Sequence, residues 1–232
     1  MTKNMWTLIM SGLLLLAAGC SSPYYIVSDF DERTADNHTI AVLPFEVIFT
    51  GTMPKDMTQE HMDNIQEAES KAFQISLYNQ ILASTKGGKK PFRIDFQSYD
   101  KTTGILKDNN ISIRESWNTD PQKLAEILGV DAVVKAHVEK ARFMSDLASY
   151  GIEVGTDLIN WLSNYHAADW IPGGMTISKE VKTSYALIDK NNGTTLWSIH
   201  YDIESDWREK ANAIIDHINH KAAKYFPYRE NK

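Results

Sequence analysis

The chain of 232 residues holds a single cysteine, so no internal disulfide and no cysteine-rich zinc site can form. Positive charge is scarce: 24 Lys and Arg stand against 30 Asp and Glu, a net charge of -6 with 7 histidines neutral. A phosphate-binding surface shows as an excess of Lys and Arg, so this balance excludes nucleic acid as the expected partner. The sequence has no HExxH pair and no Gly-x-Ser-x-Gly elbow. Gly87-Gly88-Lys89-Lys90 looks like a phosphate loop, but it follows a helical pattern and precedes a strand, the reverse of what phosphate binding needs. No enzyme activity, cofactor or metal is expected. Apolar residues are plentiful: 43% hydrophobic and 10% aromatic belong to a chain that buries a core.

Residues 1–19 read as a signal peptide. Lys3 gives a short positive region, and the apolar run from Trp6 to Ala18 is too short for the roughly 20 helical residues that cross a hydrocarbon layer. The one cysteine, Cys20, follows Ala17-Ala18-Gly19 directly. This resembles the lipobox of bacterial lipoproteins, whose cysteine is acylated with fatty chains such as palmitate and becomes the new amino terminus. Leucine usually stands three places before that cysteine; here Ala17 does, with Leu16 one place earlier. One acyl chain binds a membrane marginally, whereas two or three anchor it. Ser21 follows Cys20 where an Asp would signal inner-membrane retention, so the resemblance implies the outer membrane, periplasmic face.

Residues 20–38 read as a lipidated tether, with Tyr24-Tyr25-Ile26-Val27 either a membrane-proximal contact or a short edge strand. Residues 39–232 read as one α/β domain. Thr39 to Phe49 is a nearly continuous apolar run, the mark of a strand covered on both faces. Thr58 to Ser84 carries apolar residues at helical spacing, and Gly87-Gly88 ends it. Pro91 to Gln97 alternates. Asp120-Pro121 opens a short helix that stops at Gly129. In Val130 to Ala141, Ala132, Val134, Ala136 and Val138 fall on one face, with Lys135, His137 and Glu139 on the other. Val181 to Ile188 and Thr195 to Ile203 form a hairpin whose Asn192-Gly193 supplies positive φ angles. Asp206 to Phe226 is an amphipathic helix with Ser205 as its cap and Pro227 as its stop. The expected architecture is a mixed sheet of about five strands with packed helices, plus a partly helical insertion over 145–175.

Three stretches carry a family resemblance: TIAVLPFEV from Thr39, LAEILGVDAVVKAHV from Leu124 and LIDKNNGTTLW from Leu187. Together they resemble a group of bacterial outer-membrane lipoproteins that includes the curli-secretion lipoprotein and the lipoprotein activators of penicillin-binding proteins. Their shared domain is also similar to the amino-terminal domain of the Tol-Pal propeller protein. The motifs mark strand packing and turns rather than a site. Curli-type channels insert long alternating hairpins; the insertion here instead contains Leu158, Trp161, Leu162 and Tyr165 at helical spacing.

Candidate sites are few. His217 and His220, three apart on the last helix, could share a metal, but the ordinary reading is a solvated face with Asp216 and His220 as a helical pair. His137, Glu139, His200 and Asp202 could meet across the polar face of the sheet. Tyr150, Trp161, Tyr165 and Trp170 place aromatic groups in the insertion, where they either contact a partner or another copy, or cover an edge of the core. The resemblance implies a non-enzymatic scaffold, assembly or regulatory factor for a cell-envelope machine. The membrane through acylated Cys20 and an envelope protein or a second copy are the expected partners. Two other readings stand beside it: an oligomeric secretion-channel component of the curli type, and a small-ligand-binding or hydrolytic periplasmic lipoprotein.

Overall fold

A computed structural model describes residues 23–51, 57–86, 90–141, 178–206 and 211–229. Cys20, the signal peptide and the insertion with Tyr150, Trp161, Tyr165 and Trp170 lie outside the described residues.

The long apolar run from Thr39 is interrupted by Pro44, which has no N–H to give a central ladder. It therefore makes two strands on one partner. β2 (Thr39–Val42) and β3 (Glu46–Phe49) pair in parallel, one after the other, with β5 (Ala132–Lys140). The Leu43 N–H donates to the Val134 carbonyl at 3.0 Å, which keeps the interruption in register. β4 (Asp95–Gln97) lies in parallel outside β2. On the other side of β5 comes the hairpin of β6 (Ser178–Asp189) and β7 (Thr195–Asp206). β1 (Tyr24–Ile26) closes that edge, antiparallel to β7. The seven strands form one sheet in the order β1-β7-β6-β5-β2-β4, with β3 also on β5. The two strands beyond the five expected come from the split at Pro44 and from β1.

Two layers of helix cover the sheet. α2 (Gln59–Ala83) and α6 (Ala211–Lys224) bury Phe73, Leu77, Ile81, Ile214 and Ile218 against Val134, Val138, Tyr185 and Trp197. A fully buried Leu or Ile contributes about 1.5–3 kcal/mol by leaving water. The other face carries a smaller core of Ala41, Leu43 and Val133 under α3 (Tyr99–Asp108) and α5 (Pro121–Leu128). Short α1 (Phe30–Arg33) and α4 (Ile113–Asn118) complete six helices among the described residues.

Local signals account for the boundaries. The Thr58 hydroxyl accepts from the His61 N–H at 3.2 Å at the start of α2. Asp120 caps α5 through the Gln122 N–H at 2.8 Å, and Gly129 ends it at φ +66°.

Several expectations are corrected. α2 ends at Ala83, ahead of Gly87-Gly88, with Ser84 in the capping position. In the hairpin loop only Gly193 takes a positive φ (+66°); the loop is longer than a two-residue turn, so Asn192 is not required to. Ser205 and Asp206 belong to β7 rather than to a helix start, because the hairpin ladder runs on to the Ser178–Asp206 pair. The stretch taken for tether is drawn into the fold from Tyr24 onward, where Tyr24 pairs with Ile199, Phe30 is buried and Asn37 donates to the Tyr228 hydroxyl at 2.7 Å.

Candidate docking face of the sheet

β5 is covered on both faces only as far as Val134. Beyond it the α3/α5 layer ends, while strand alternation continues to turn Lys135, His137 and Glu139 to that side. The register then decides which side chains join them. Glu46 of β3, His137 of β5, Ser184 of β6 and His200 of β7 stand opposite one another in one row. Glu139, Lys182 and Asp202 make the next row. Four strands at a spacing near 4.8 Å give a row about 14 Å long.

The rows are joined by ion pairs. His137 Nδ1 lies 3.1 Å from a Glu46 oxygen and its Nε2 lies 3.1 Å from a Glu139 oxygen. Through its two ring nitrogens His137 thus bridges both carboxylates. His200 Nε2 stands 3.8 Å from Asp202, both exposed, a loose pair of the sort that adds little to stability. Lys135 reaches back instead, its Nζ donating at 2.6 Å to the Trp117 carbonyl at the end of α4. The expected cluster of His137, Glu139, His200 and Asp202 thus shares one face but divides into two pairs, with β6 between them.

Glu46 and Lys182 belong to this face and were not singled out by sequence. Glu46 sits inside an apolar run, and a lone carboxylate there is itself a sign that one side of the strand is open. Among the described residues, no group of three His, Cys, Asp or Glu side chains is placed to hold a metal. His217 is exposed; His220 Nδ1 lies 3.5 Å from Gln80, and Asp216 accepts from the Ser76 hydroxyl at 2.6 Å, so the expected Asp216–His220 pairing gives way to contacts with α2. Grooves among the described residues lie elsewhere. One runs between β1, α1 and the segment after α6, and another runs between the ends of α2 and α6.

The sequence motifs prove to be fasteners. Asp131 accepts from the backbone N–H groups of His38 (2.8 Å) and Thr39 (3.0 Å) and from Lys190 Nζ (3.1 Å), tying the starts of β2 and β5 to the hairpin loop. Burial pushes its pKa up, but the two N–H groups and the ammonium outweigh that and hold the carboxyl below its ordinary range. Asp189 begins the hairpin loop and is buried; Trp197 ends the motif, fully buried with its ring 5.5 Å from Phe226.

A further pair, unread in the sequence, is fully enclosed. Lys140 falls on the core side of β5 by the same alternation as Ala136 and Val138, and its Nζ meets Glu69 of α2 at 2.7 Å. Elsewhere in the same core, the Tyr185 hydroxyl donates to Asn219 Oδ1 (2.9 Å), and Asn219 Nδ2 donates to the Phe73 carbonyl (3.0 Å). Burial raises the Tyr185 hydroxyl well above its usual pKa.

No protein-family model matches the chain, and no curated protein matches it in sequence. Solved structures do resemble it in fold. The PelC dodecamer from Paraburkholderia phytofirmans aligns at TM-score 0.41 and 11% identity, over 84% of this chain and 90% of that one. Lipoprotein GNA1162 from Neisseria meningitidis aligns at 0.42 and 13%, over 80% and 94%. The LpoB C-terminal domain from Salmonella enterica aligns at 0.36 and 12%, over 84% and 92%. With scores below 0.5 these likenesses assign no function, and the site has to be understood from its own residues.

Proposed function

We propose that this chain is a non-enzymatic lipoprotein, moored through acylated Cys20 at the periplasmic face of the outer membrane, that scaffolds or regulates a cell-envelope machine. The observation that carries the reading is the polar row of Glu46, His137, Ser184 and His200 on the side of the sheet that α3 and α5 leave open. A face of mixed polar and acidic groups suits a polar protein surface. Anchoring adds concentration: a domain held at a surface meets other surface-bound partners far more often than a free one, without any new contact. No helix among the described residues is long and apolar enough to cross a membrane.

The test places a photo-reactive amino acid at His200 in otherwise intact protein in cells. A discrete adduct with one envelope protein, lost when Cys20→Ser releases the chain from the membrane fraction, supports the reading. If Cys20→Ser still fractionates with membranes and complements a deletion, mooring is not its mode of action. A closed ring of copies in electron micrographs of detergent-extracted protein would replace the scaffold with the curli-type channel.

A further inference from the structure

We infer that the β1 edge of the sheet lies against the lipid headgroups, so that the sheet stands on the membrane with β4 and α3 pointing away from it. The inference rests on the lipoprotein reading above and adds an orientation and a contact surface to it.

The first argument is length. Tyr24 is the first residue of β1 and follows Cys20 by four positions. Four residues span at most about 14 Å even when fully extended. The sheet from β1 across to β4 has five strand spacings, about 24 Å. An anchor with that reach cannot let the sheet stand on its β4 edge, which would lift β1 out of range. The edge next to Cys20 is the one that comes down.

The second argument is what that edge displays. β1 is three residues long and, among the described residues, has a partner on one side only, so its outer N–H and C=O groups form a ladder of the kind proteins normally shield. Its side chains make the exposure worse in water: Tyr25 is 54% exposed on one side and Ile26 is 40% exposed on the other. Tyrosine beside an aliphatic group suits the boundary between headgroup and acyl chain, where one end of the ring is wet and the other apolar.

The third argument is the flank. β7 runs on past the Tyr24–Ile199 pair to Tyr201, beyond the amino-terminal end of β1. Lys221 of α6 reaches over the Tyr201 ring with its Nζ 4.7 Å from the centroid. Lys224 lies over the ring of Tyr225 at 5.3 Å, and Tyr225 packs on Tyr24 at 5.5 Å. Both ammonium groups stand near the Tyr24 end of β1, where they can meet headgroup phosphates, while Asp29, Asp31 and Glu32 line the groove on the other side of Lys224. The acids of the same stretch of β7, Asp202 and Glu204, alternate to the opposite face.

The test uses the full mature protein, with Cys20 acylated and therefore blocked, in vesicles of phosphatidylethanolamine and phosphatidylglycerol carrying a headgroup quencher. A fluorophore is placed on Tyr25→Cys in one sample and on the opposite edge, Asp95→Cys, in another. His200→Cys, on the part of β7 beyond the end of β1, repeats the near-edge reading should Tyr25→Cys loosen β1. Quenching at least twofold greater at position 25 or 200 than at 95 is expected. Equal quenching, or more at 95, overturns the orientation while leaving the lipoprotein reading intact. Mass spectrometry of the same sample separates the two: a Cys20 without acyl chains removes both.

Discussion

Lys140 Nζ lies 2.7 Å from the Glu69 carboxylate, joining the last residue of β5 to α2 with neither side chain in contact with solvent. Burial drives the Lys140 pKa down and Glu69 works against it, so each charge is tolerated because of the other. Removing one partner leaves an uncompensated charge in the core, so Glu69→Gln or Lys140→Met should cost about 3–5 kcal/mol in urea unfolding. The double variant Glu69→Leu with Lys140→Met should recover most of that. A double variant as unstable as the singles would show that the two charges are not coupled.

Asp131 should govern acid stability. Its folded pKa is held below the ordinary 3.8, so the stability it provides is complete above that value and disappears as pH falls through the lower, folded one. Asp131→Asn should flatten the acid limb of a stability-against-pH curve. At neutral pH it should cost about 1–3 kcal/mol through the weakened bonds to His38, Thr39 and Lys190. An unchanged acid limb would remove Asp131 from this role.

Asn219 serves two partners inside the core, taking the Tyr185 hydroxyl and giving to the Phe73 carbonyl. Asn219→Ala takes away the Tyr185 acceptor and the second bond to the Phe73 carbonyl, which still accepts within α2, and should lower stability by about 1–3 kcal/mol. Tyr185→Phe removes one bond of the two and should cost less. The reverse ranking in thermal denaturation would contradict this arrangement.

Gly129 ends α5 at φ +66° with open space where a Cβ would stand. Gly129→Ala should therefore cost only the left-handed backbone penalty, about 1 kcal/mol, with no rearrangement of neighbours. A loss of several kcal/mol would mean that more than backbone conformation is involved.

On the open face, His137→Ala should separate binding from folding. Its two carboxylate partners are part-exposed, so stability should change by no more than about 1 kcal/mol. Capture of an envelope partner from position 200 should fall severalfold. Full retention of that adduct would shift attention away from this face.

Much of the fold was visible in residues whose role is local. Thr58, Asp120, Pro121 and Gly129 each act on their own neighbours, and the alternation in β5 reports a burial difference that holds all along the strand. α3 and α4 escaped notice because they are short and carry few apolar residues. Their caps were nonetheless in plain view: Ser98 accepts from the Lys101 N–H, and Ser112 with Glu115 forms a capping box. Lys140 stands at the end of β5, where its parity places it with Val138 on the core side. Only the position of α2, fixed by tertiary packing, shows that Glu69 is there to meet it. The row from Glu46 to His200 depends on four strands coming into register, which no window of sequence contains.

β1 has a consequence for the order of events in the living chain. Its ladder partner, β7, lies almost at the other end of the polypeptide, and such distant pairings form late. Until the hairpin of β6 and β7 is in place, Tyr24 to Ile26 lack the ladder they pair with. β1 is therefore among the last strands to join the sheet, although it is the first to be made.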